Sequence, residues 1–319
     1  MLPQRGILPR TLRFHWGIGI PTIGVSMKYG ITAASSHYGS TVIQTMLSAG
    51  VDEQNIVAYA RHPKNLDVLE RRGVTVRDLD YAHDFAGKFD GVDRLMYIPT
   101  RDSSRRDAVA QRLIAEAERA GVQDFVYISF INADRFPDNP LTPDHRATEQ
   151  LMDASAMNTL ALRSGYYTEN ILESLPSYLS RGVLPSTSRD GKMSLASRDE
   201  MAQAAAKLFI APTFETGVKT FAGAAYSKAD VARILSDATG ANIVVKELEP
   251  ADYYAALVEG GMPEAAAKVY TGVDVAVRRG AHYTESTDLA TVLGRNPRSF
   301  EDSVQAWART QHNGTETAR

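Results

Sequence analysis

Short apolar runs alternate with segments of helical periodicity over the first half of the chain. Each run is bounded by turn residues, and the predicted strands are 29–32, 55–60, 74–77, 93–98, 124–129 and 159–163. Three intervening segments, 37–49, 105–120 and 142–154, carry apolar residues at helical spacing. Strands joined by helical crossovers run parallel, so the pattern predicts an α/β fold, a Rossmann-type doubly wound parallel sheet buried on both faces.

The regular alternation of predicted strands and helices ends beyond Arg163. A strand is predicted at 218–221, and helices are predicted at 167–179, 199–210, 228–239, 250–259, 263–278 and 300–309. We therefore expect a dinucleotide-binding domain over 28–164 and, over 165–310, a small, mostly helical substrate lobe with segments that return to the sheet. Residues 311–319 are predicted to be a frayed polar tail.

The first 27 residues form an extension before the first strand. Arg5, Arg10 and Arg13 precede an apolar stretch at 14–25, which superficially resembles a signal peptide. Pro21 and Gly24 interrupt that stretch, no clean cleavage site follows, and it is too short to span a bilayer. We expect a disordered extension or a start-site artefact, with a functional leader as the alternative.

Charge and cysteine content narrow the function classes. The 319 residues carry a formal charge of −3, without the basic excess that polyanion binding needs, so neither nucleic acid nor a membrane is expected as a partner. The chain has no cysteine, which excludes disulfides, thiolate metal sites and a catalytic thiol and fits a cytoplasmic protein.

The turn after the first strand carries the clearest chemical signal. It reads Thr32-Ala33-Ala34-Ser35-Ser36-His37-Tyr38-Gly39 and leads into a helix. Small side chains in such a turn let the backbone approach a pyrophosphate at the helix N-terminus. The usual three glycines are reduced to Gly39, because Ala33 and Ser36 occupy the other two places. If either must take a positive φ, the cost is about 1 kcal/mol each.

Residues at the ends of the second and third strands are candidates for the adenosine end of a cofactor. Arg61 stands where an NAD site usually offers a carboxylate, and a guanidinium there suits the 2′-phosphate of NADP. Its alternative role is a solvated charge at a helix start. Asp80 could read an adenine amino group or could simply begin a helix.

The next strand ends are expected to line the crevice. Pro99, Thr100 and Arg101 follow the fourth strand near the middle of the cofactor, and Ser129 and Phe130 follow the fifth, near the nicotinamide.

Three further side chains are catalytic candidates together with Ser129. His145 lies four residues before Glu149 on one helix face, where an exposed pair is favoured over a catalytic or ligand role. Tyr166 and Tyr167 could stack on a flat substrate or could be core residues. No metal site is predicted, and the Tyr-x-x-x-Lys pair of ordinary short-chain dehydrogenases is absent.

Several blocks in the same order resemble the NmrA-like atypical short-chain dehydrogenases, and they are most similar to bacterial type-2 NAD(P)H:quinone oxidoreductases and triphenylmethane reductases. The blocks are Asn-Ile-Val-Ala at 55–58 leading to Arg61-His62-Pro63, Gly-Val-Thr-Val-Arg at 73–77, Phe-Val-Tyr-Ile-Ser at 125–129, His-Arg-Ala-Thr-Glu at 145–149, Leu-Arg-Ser-Gly-Tyr-Tyr-Thr-Glu-Asn at 162–170 and Ala-Ser-Arg-Asp-Glu at 196–200.

The resemblance implies an enzyme that prefers NADP(H) over NAD(H) and transfers hydride to a quinone or a dye-like acceptor. Such chemistry needs little protein machinery, because the cofactor supplies the hydride. The family pattern Thr-Gly-Ala-Thr-Gly-x-x-Gly is altered at Ala33 and Ser36. A non-catalytic dinucleotide-binding regulator or redox sensor is therefore the alternative. The resemblance is compatible with a homodimer.

Overall fold

The computed structural model describes residues 27–100 and 106–316. Its central sheet has seven parallel strands in the order β10-β6-β5-β4-β1-β2-β3. In chain order these strands are β1 (Tyr29–Ile31), β2 (Ile56–Ala60), β3 (Thr75–Asp78), β4 (Arg94–Tyr97), β5 (Asp124–Phe130), β6 (Asn158–Ser164) and β10 (Gly217–Phe221). The predicted doubly wound parallel sheet is confirmed.

Helices cover both faces of this sheet. The helices of the first part are α1 (His37–Ser48), α2 (Asp67–Arg71), α3 (Arg106–Arg119) and α4 (Pro143–Asp153). The later helices are α5 (Thr168–Arg181), α6 (Arg198–Phe209), α7 (Lys228–Thr239), α8 (Pro250–Glu259), α9 (Glu264–Arg278), α10 (Asp288–Leu293) and α11 (Phe300–Glu316). One core lies between the sheet and α1 with α6, and a second lies between the sheet and α3 with α4.

The strands are short and apolar because both of their faces are covered. Every residue of β2 and of β4 is buried, so alternation between polar and apolar positions is absent there. The consequence for function is that, in the fully buried strands β2 and β4, polar side chains can reach solvent only beyond the strand ends, which is also where ligands of open α/β sheets bind.

The later part of the chain contains more strand than the sequence pattern predicted. Besides β10, which joins β6 at the sheet edge, it holds β7 (Tyr166–Tyr167), β8 (Val183–Ser186), β9 (Lys192–Ala196), β11 (Ala225–Ser227) and β12 (Val244–Glu247). These form two small sheets, β11-β9-β7 and β12-β8. A third core packs α5, α7, α9 and α11 around them.

The predictions for the two ends of the chain can be compared with the structure only in part. The extension at 1–26 lies outside them. The last helix was predicted to end at 309, yet α11 continues to Glu316, so the tail predicted from residue 311 is helical as far as it is described.

Candidate functional site

The turn between β1 and α1 packs against its own helix. A β-carbon on Gly39 would lie 2.5 Å from the carbonyl oxygen of Ala33, which explains why glycine is retained at this position. Ala33 has a φ of 48°, in the left-handed region, as expected for a residue standing at a glycine position. The backbone therefore keeps the tight path of a dinucleotide-binding turn, with the strain carried by Ala33.

Ser36 does not share that strain, so of the two substituted glycine positions only Ala33 carries the cost of a positive φ. It is extended, with φ −72° and ψ 159°, and caps α1: its side chain accepts a hydrogen bond from the Gly39 backbone N–H at 3.0 Å. Serine is a favoured residue at a helix N-cap, which is the physical reason it can replace glycine.

Two side chains of the predicted cofactor turn face inward. The Thr32 hydroxyl accepts from the Ile98 backbone N–H at 2.9 Å and is fully buried. The Tyr38 hydroxyl donates to the Met201 carbonyl at 3.2 Å, and burial raises the pKa of Tyr38 well above its usual value. Both side chains therefore hold the turn to β4 and α6, and only their backbone is placed to approach a cofactor.

His37 begins α1 and contacts the start of another helix. Its Nε2 lies 2.7 Å from Asp199 Oδ1, and the Thr41 hydroxyl donates to the same oxygen at 3.0 Å. Roughly half of each ion-pair side chain is exposed: 55% for His37 and 49% for Asp199. A carboxylate thus lies beside the helix N-terminus that a pyrophosphate would approach.

The adenosine side of the site is open. Arg61 is exposed directly after β2, and Asp80 is half-buried after β3. Asp80 accepts from the Ala82 backbone N–H at 3.0 Å and so supports the local turn. A cavity of about 360 Å³ lies beside the turn between α1 and the segment after β2, and it is lined by Ala34, Ser35, Ser40, Thr41, Gln44, Asn65, Leu66, Val68 and Leu69.

The segment after β4 is anchored through its backbone. Pro99 and Thr100 are half-buried, and the Thr100 carbonyl accepts from Arg106 Nε and Nη2 at 3.3 and 3.0 Å. Arg106 also pairs with Asp144 at 2.7 Å. Arg101, predicted to line the crevice, lies outside the described residues.

Ser129 and Glu149 belong to a buried ionic network. The Ser129 hydroxyl donates to Glu149 Oε1 at 2.7 Å, and Arg163 donates to both carboxylate oxygens at 2.9 and 2.7 Å. Arg163 also pairs with Asp134 at 2.7 Å. The expectation of an exposed His145–Glu149 pair was wrong, because this face of α4 packs on β5 and β6, where Arg163 neutralises the carboxylate.

His145 is buried next to Glu149. Its Nδ1 lies 2.8 Å from the Tyr127 hydroxyl, and its ring stacks on Phe130 with centroids 5.8 Å apart. Burial, helped by the nearby Arg106 charge, lowers the pKa of His145 to about 3, so the ring is neutral at pH 7. His145 therefore supports Phe130 by packing and does not serve as a proton donor at neutral pH.

A cluster of aromatic rings lies at the end of the site formed by β5 and β6. Tyr166 and Phe130 both contact the ring of His282, with centroid distances of 5.8 and 5.3 Å. Burial raises the pKa of Tyr166 to about 12, against the opposing charge of Lys228. Tyr167 lies under the Arg198 guanidinium, 5.1 Å from its ring centre.

Sequence reasoning missed His282 and Lys228. Both come from the later part of the chain, far in sequence from β5 and β6, and neither stands in a motif. The Lys228 side chain is largely buried, and its ammonium pairs with Asp274 at 3.1 Å. Within 27–100 and 106–316, no three His, Asp or Glu side chains are grouped to hold a metal, and no helix is both long and apolar enough to cross a membrane.

A family model described as NAD(P)H-binding matches residues 33–212. The chain belongs to the NAD(P)H-binding family. The matched region starts in the turn and runs through β9 and α6, so it includes every strand of the central sheet except β1 and β10.

Similarity to known proteins supports the same family assignment. Quinone oxidoreductase 2 of Escherichia coli (strain K12) is 31% identical over 277 residues, or 86% of this chain and 96% of the relative. The crystal structure of an NADPH-dependent quinone oxidoreductase of Escherichia coli, complexed with NADPH, has a TM-score of 0.83 at 30% identity and covers 88% of this chain and 99% of that one.

Triphenylmethane reductase of Citrobacter sp., complexed with NADP(H), has a TM-score of 0.80 at 24% identity, with 88% of this chain and 99% of that chain covered. This last likeness concerns the fold alone. The family predicted from the sequence blocks is confirmed, and this chain is an NAD(P)H-dependent oxidoreductase. The prediction of NADP(H) as cofactor agrees with the relative solved with NADPH.

Proposed function

We propose that this protein is an NADPH-dependent reductase that transfers hydride to a quinone or a similar conjugated acceptor. The observation that carries the proposal is the turn, in which Gly39 and Ala33 preserve a close backbone path at the start of a twelve-residue helix. The relative that is 31% identical over most of both chains bears the name quinone oxidoreductase, which supports this acceptor class.

The turn fits a dinucleotide despite its missing glycines. The first backbone N–H groups of α1 belong to His37 and Tyr38, and an α-helix does not use such groups itself. Ser36 takes only the N–H of Gly39. We infer that the N–H groups of His37 and Tyr38 and the exposed hydroxyl group of Ser35 would hold the pyrophosphate at this helix end.

Arg61 supports NADP(H) as the preferred cofactor over NAD(H). It stands directly after β2, is exposed, and forms no ion pair with any residue that the structure describes. A free guanidinium is a good partner for a 2′-phosphate, and β2 ends without the carboxylate that would bind the ribose of NAD. Asp80 remains our candidate for the adenine amino group.

The far end of the site would position the acceptor. When bound, the cofactor supplies the hydride, so the chain has to orient a flat acceptor and exclude water. The half-buried rings of Phe130, Tyr166 and Tyr167 offer an apolar surface for this purpose. Tyr166 keeps its proton at neutral pH and can donate a hydrogen bond to an acceptor oxygen.

The proposal is tested by following NADPH oxidation at about 340 nm with a simple benzoquinone as acceptor, beside calorimetric titration of NADPH. We expect binding and quinone-dependent turnover. Gly39→Ala should abolish both, whereas Ser48→Ala, at the exposed end of the same helix, should change neither. Binding without turnover of any acceptor would favour the regulator, and absence of binding would refute the reductase. The cytoplasmic location, the homodimer and the domain boundaries remain predictions.

A further inference from the structure

His282 is a fully buried histidine at the acceptor end of the site. It lies in the segment between α9 and α10, yet its ring contacts Phe130, the last residue of β5, and Tyr166, which follows β6. The fold therefore brings one imidazole from the later part of the chain to the carboxyl ends of two central strands, where ligands of such sheets bind.

The hydrogen bonds around His282 define its tautomer. Asn139 Oδ1 accepts from the Leu141 backbone N–H at 3.2 Å, so the amide nitrogen Nδ2 is the atom that faces His282 Nε2, also at 3.2 Å. Because an amide nitrogen can only donate, Nε2 must accept. The hydrogen of the neutral ring is consequently on Nδ1.

That Nδ1–H is an unused donor. It is buried and has no hydrogen-bond partner among the described residues. A buried donor without a partner is rare in proteins and calls for an explanation. The Ser164 hydroxyl, at the end of β6 and two residues before Tyr166, is another buried polar group with no hydrogen-bond partner in the part of the chain that the structure describes.

The position of His282 is fixed by the backbone on either side. Asn132 has a φ of 53°, a strained value for a side-chain-bearing residue, and its amide donates to the carbonyls of Ala281 and Tyr283 at 3.1 and 2.9 Å. The Ser194 backbone N–H donates to the His282 carbonyl at 2.8 Å. Strained residues persist where surrounding contacts require them, often at functional sites. The backbone of His282 is therefore held in place, and the Asn139 amide at Nε2 orients the ring.

We propose that His282 presents this Nδ1–H to the carbonyl oxygen of the acceptor and thereby makes the enzyme prefer quinone-type acceptors over cationic dyes that lack such an oxygen. The inference rests on the proposed reductase function and names the acceptor chemistry that the site selects. Phe130 and Tyr166 pack against the imidazole, and both rings are half-buried. Side-chain rotations on binding are common, and the proposal requires that one of these rings rotates to admit the acceptor to Nδ1.

The step balances without a proton from His282. The cofactor, when bound, would supply the hydride: its nicotinamide C–H bond would break as a C–H bond forms on the conjugated acceptor, an electron pair would move onto the carbonyl oxygen, and that oxygen would take one proton from water to complete the two-electron reduction. His282 donates a hydrogen bond to the oxygen while negative charge develops there, which lowers the barrier. A triphenylmethane cation accepts hydride at carbon and needs no such donor.

The electrostatic surroundings suit a neutral donor. Burial lowers the pKa of His282 to about 4, with Asp274 opposing and Lys228 reinforcing the change. These two charges neutralise each other in a largely buried pair. The imidazole thus stays uncharged over the working range and keeps its hydrogen on Nδ1.

Two variants separate donation from packing. His282→Leu removes the N–H and keeps an apolar side chain, whereas His282→Asn retains an amide donor near the position of Nδ1. The kcat/KM of wild type and both variants is measured with a benzoquinone and with a cationic triphenylmethane dye, at saturating NADPH. Melting temperature and NADPH affinity are measured on the same preparations.

We expect His282→Leu to lower kcat/KM for the quinone 10- to 100-fold and to leave dye reduction within about threefold. His282→Asn should recover most of the quinone activity, and NADPH affinity should not change. Equal loss with both acceptors, or quinone activity unchanged in His282→Leu, would overturn this inference and leave the reductase proposal standing. Wild-type protein that reduces neither acceptor would refute the proposed function and this inference with it.

Discussion

The carbonyl oxygen of Ala33 lies 2.5 Å from the position that a β-carbon on Gly39 would take. The chain can lose two of the three glycines of the usual turn, but it cannot lose this one without moving the turn away from its helix. The strain that accompanies the substitution is confined to Ala33, the one residue of the turn with a positive φ.

Ala33→Gly should relieve that strain. An L-residue in the left-handed region is disfavoured by about 1–2 kcal/mol, and part of the gain is offset because glycine is more flexible in the unfolded chain. We expect the free energy of unfolding to rise by about 0.5–1 kcal/mol, measured by urea denaturation. Ala34→Gly in the same turn is the control, since Ala34 has no positive φ, and it should destabilise. A variant at position 33 less stable than wild type would contradict this account.

Substitutions at Ser36 should destabilise the protein, in contrast to Ala33→Gly. Its hydroxyl caps α1, so Ser36→Ala should lower the free energy of unfolding by about 1 kcal/mol, and Ser36→Gly by only a few tenths. Both are measured by the same denaturation. Equal stability of wild type and Ser36→Ala would show that the cap contributes nothing.

Arg61→Ala should remove most of the preference for NADPH. A charge-assisted contact with the 2′-phosphate contributes about 1.5–3 kcal/mol, so NADPH affinity should fall at least tenfold while NADH affinity stays constant. Calorimetry with both cofactors measures the change. Arg71→Ala, an exposed arginine on α2, serves as the control. Unaltered selectivity in the Arg61 variant would remove this residue from the cofactor site.

Glu149→Gln should be strongly destabilising. The change leaves the buried guanidinium of Arg163 with Asp134 as its remaining carboxylate partner, and loss of one member of a buried pair costs about 3–5 kcal/mol. Chemical denaturation measures the loss. Asp237→Asn breaks an exposed pair with Arg233 and should cost less than about 0.5 kcal/mol. Comparable effects of the two substitutions would argue against the buried network.

Acid should destabilise the protein through its two buried histidines. Burial lowers the pKa of His145 to about 3 and of His282 to about 4, whereas both titrate near 6.5 when unfolded. Between pH 6.5 and 4 the unfolded chain binds more protons than the native one, so stability is fully present above pH 6.5 and falls as pH falls. At pH 5 the loss is about 2 kcal/mol for each histidine.

Urea denaturation at pH 7 and pH 5 measures this dependence. His282→Leu should reduce the loss between the two pH values by about 2 kcal/mol, whereas His83→Gln, at an exposed histidine, should leave it unchanged. The same pH dependence in wild type and His282→Leu would show that His282 is not held neutral by the fold.

Local pattern by itself determined the sheet and the location of the cofactor turn. Apolar runs buried on both faces, separated by helical segments, admit few arrangements other than parallel strands with crossovers. The small residues from Thr32 to Gly39 and the charge of Arg61 are likewise local features, because a turn and a strand end depend on residues adjacent in sequence.

Only the tertiary structure decided which polar residues face the sheet. Helical spacing placed His145 and Glu149 on one face, but the direction of that face depended on Arg163, which neutralises Glu149 from β6. The same holds for His282, whose contacts with Phe130 and Tyr166 join segments far apart in the chain. A buried charge or donor is stable only through partners supplied by packing, so its role cannot be deduced from its own sequence neighbourhood.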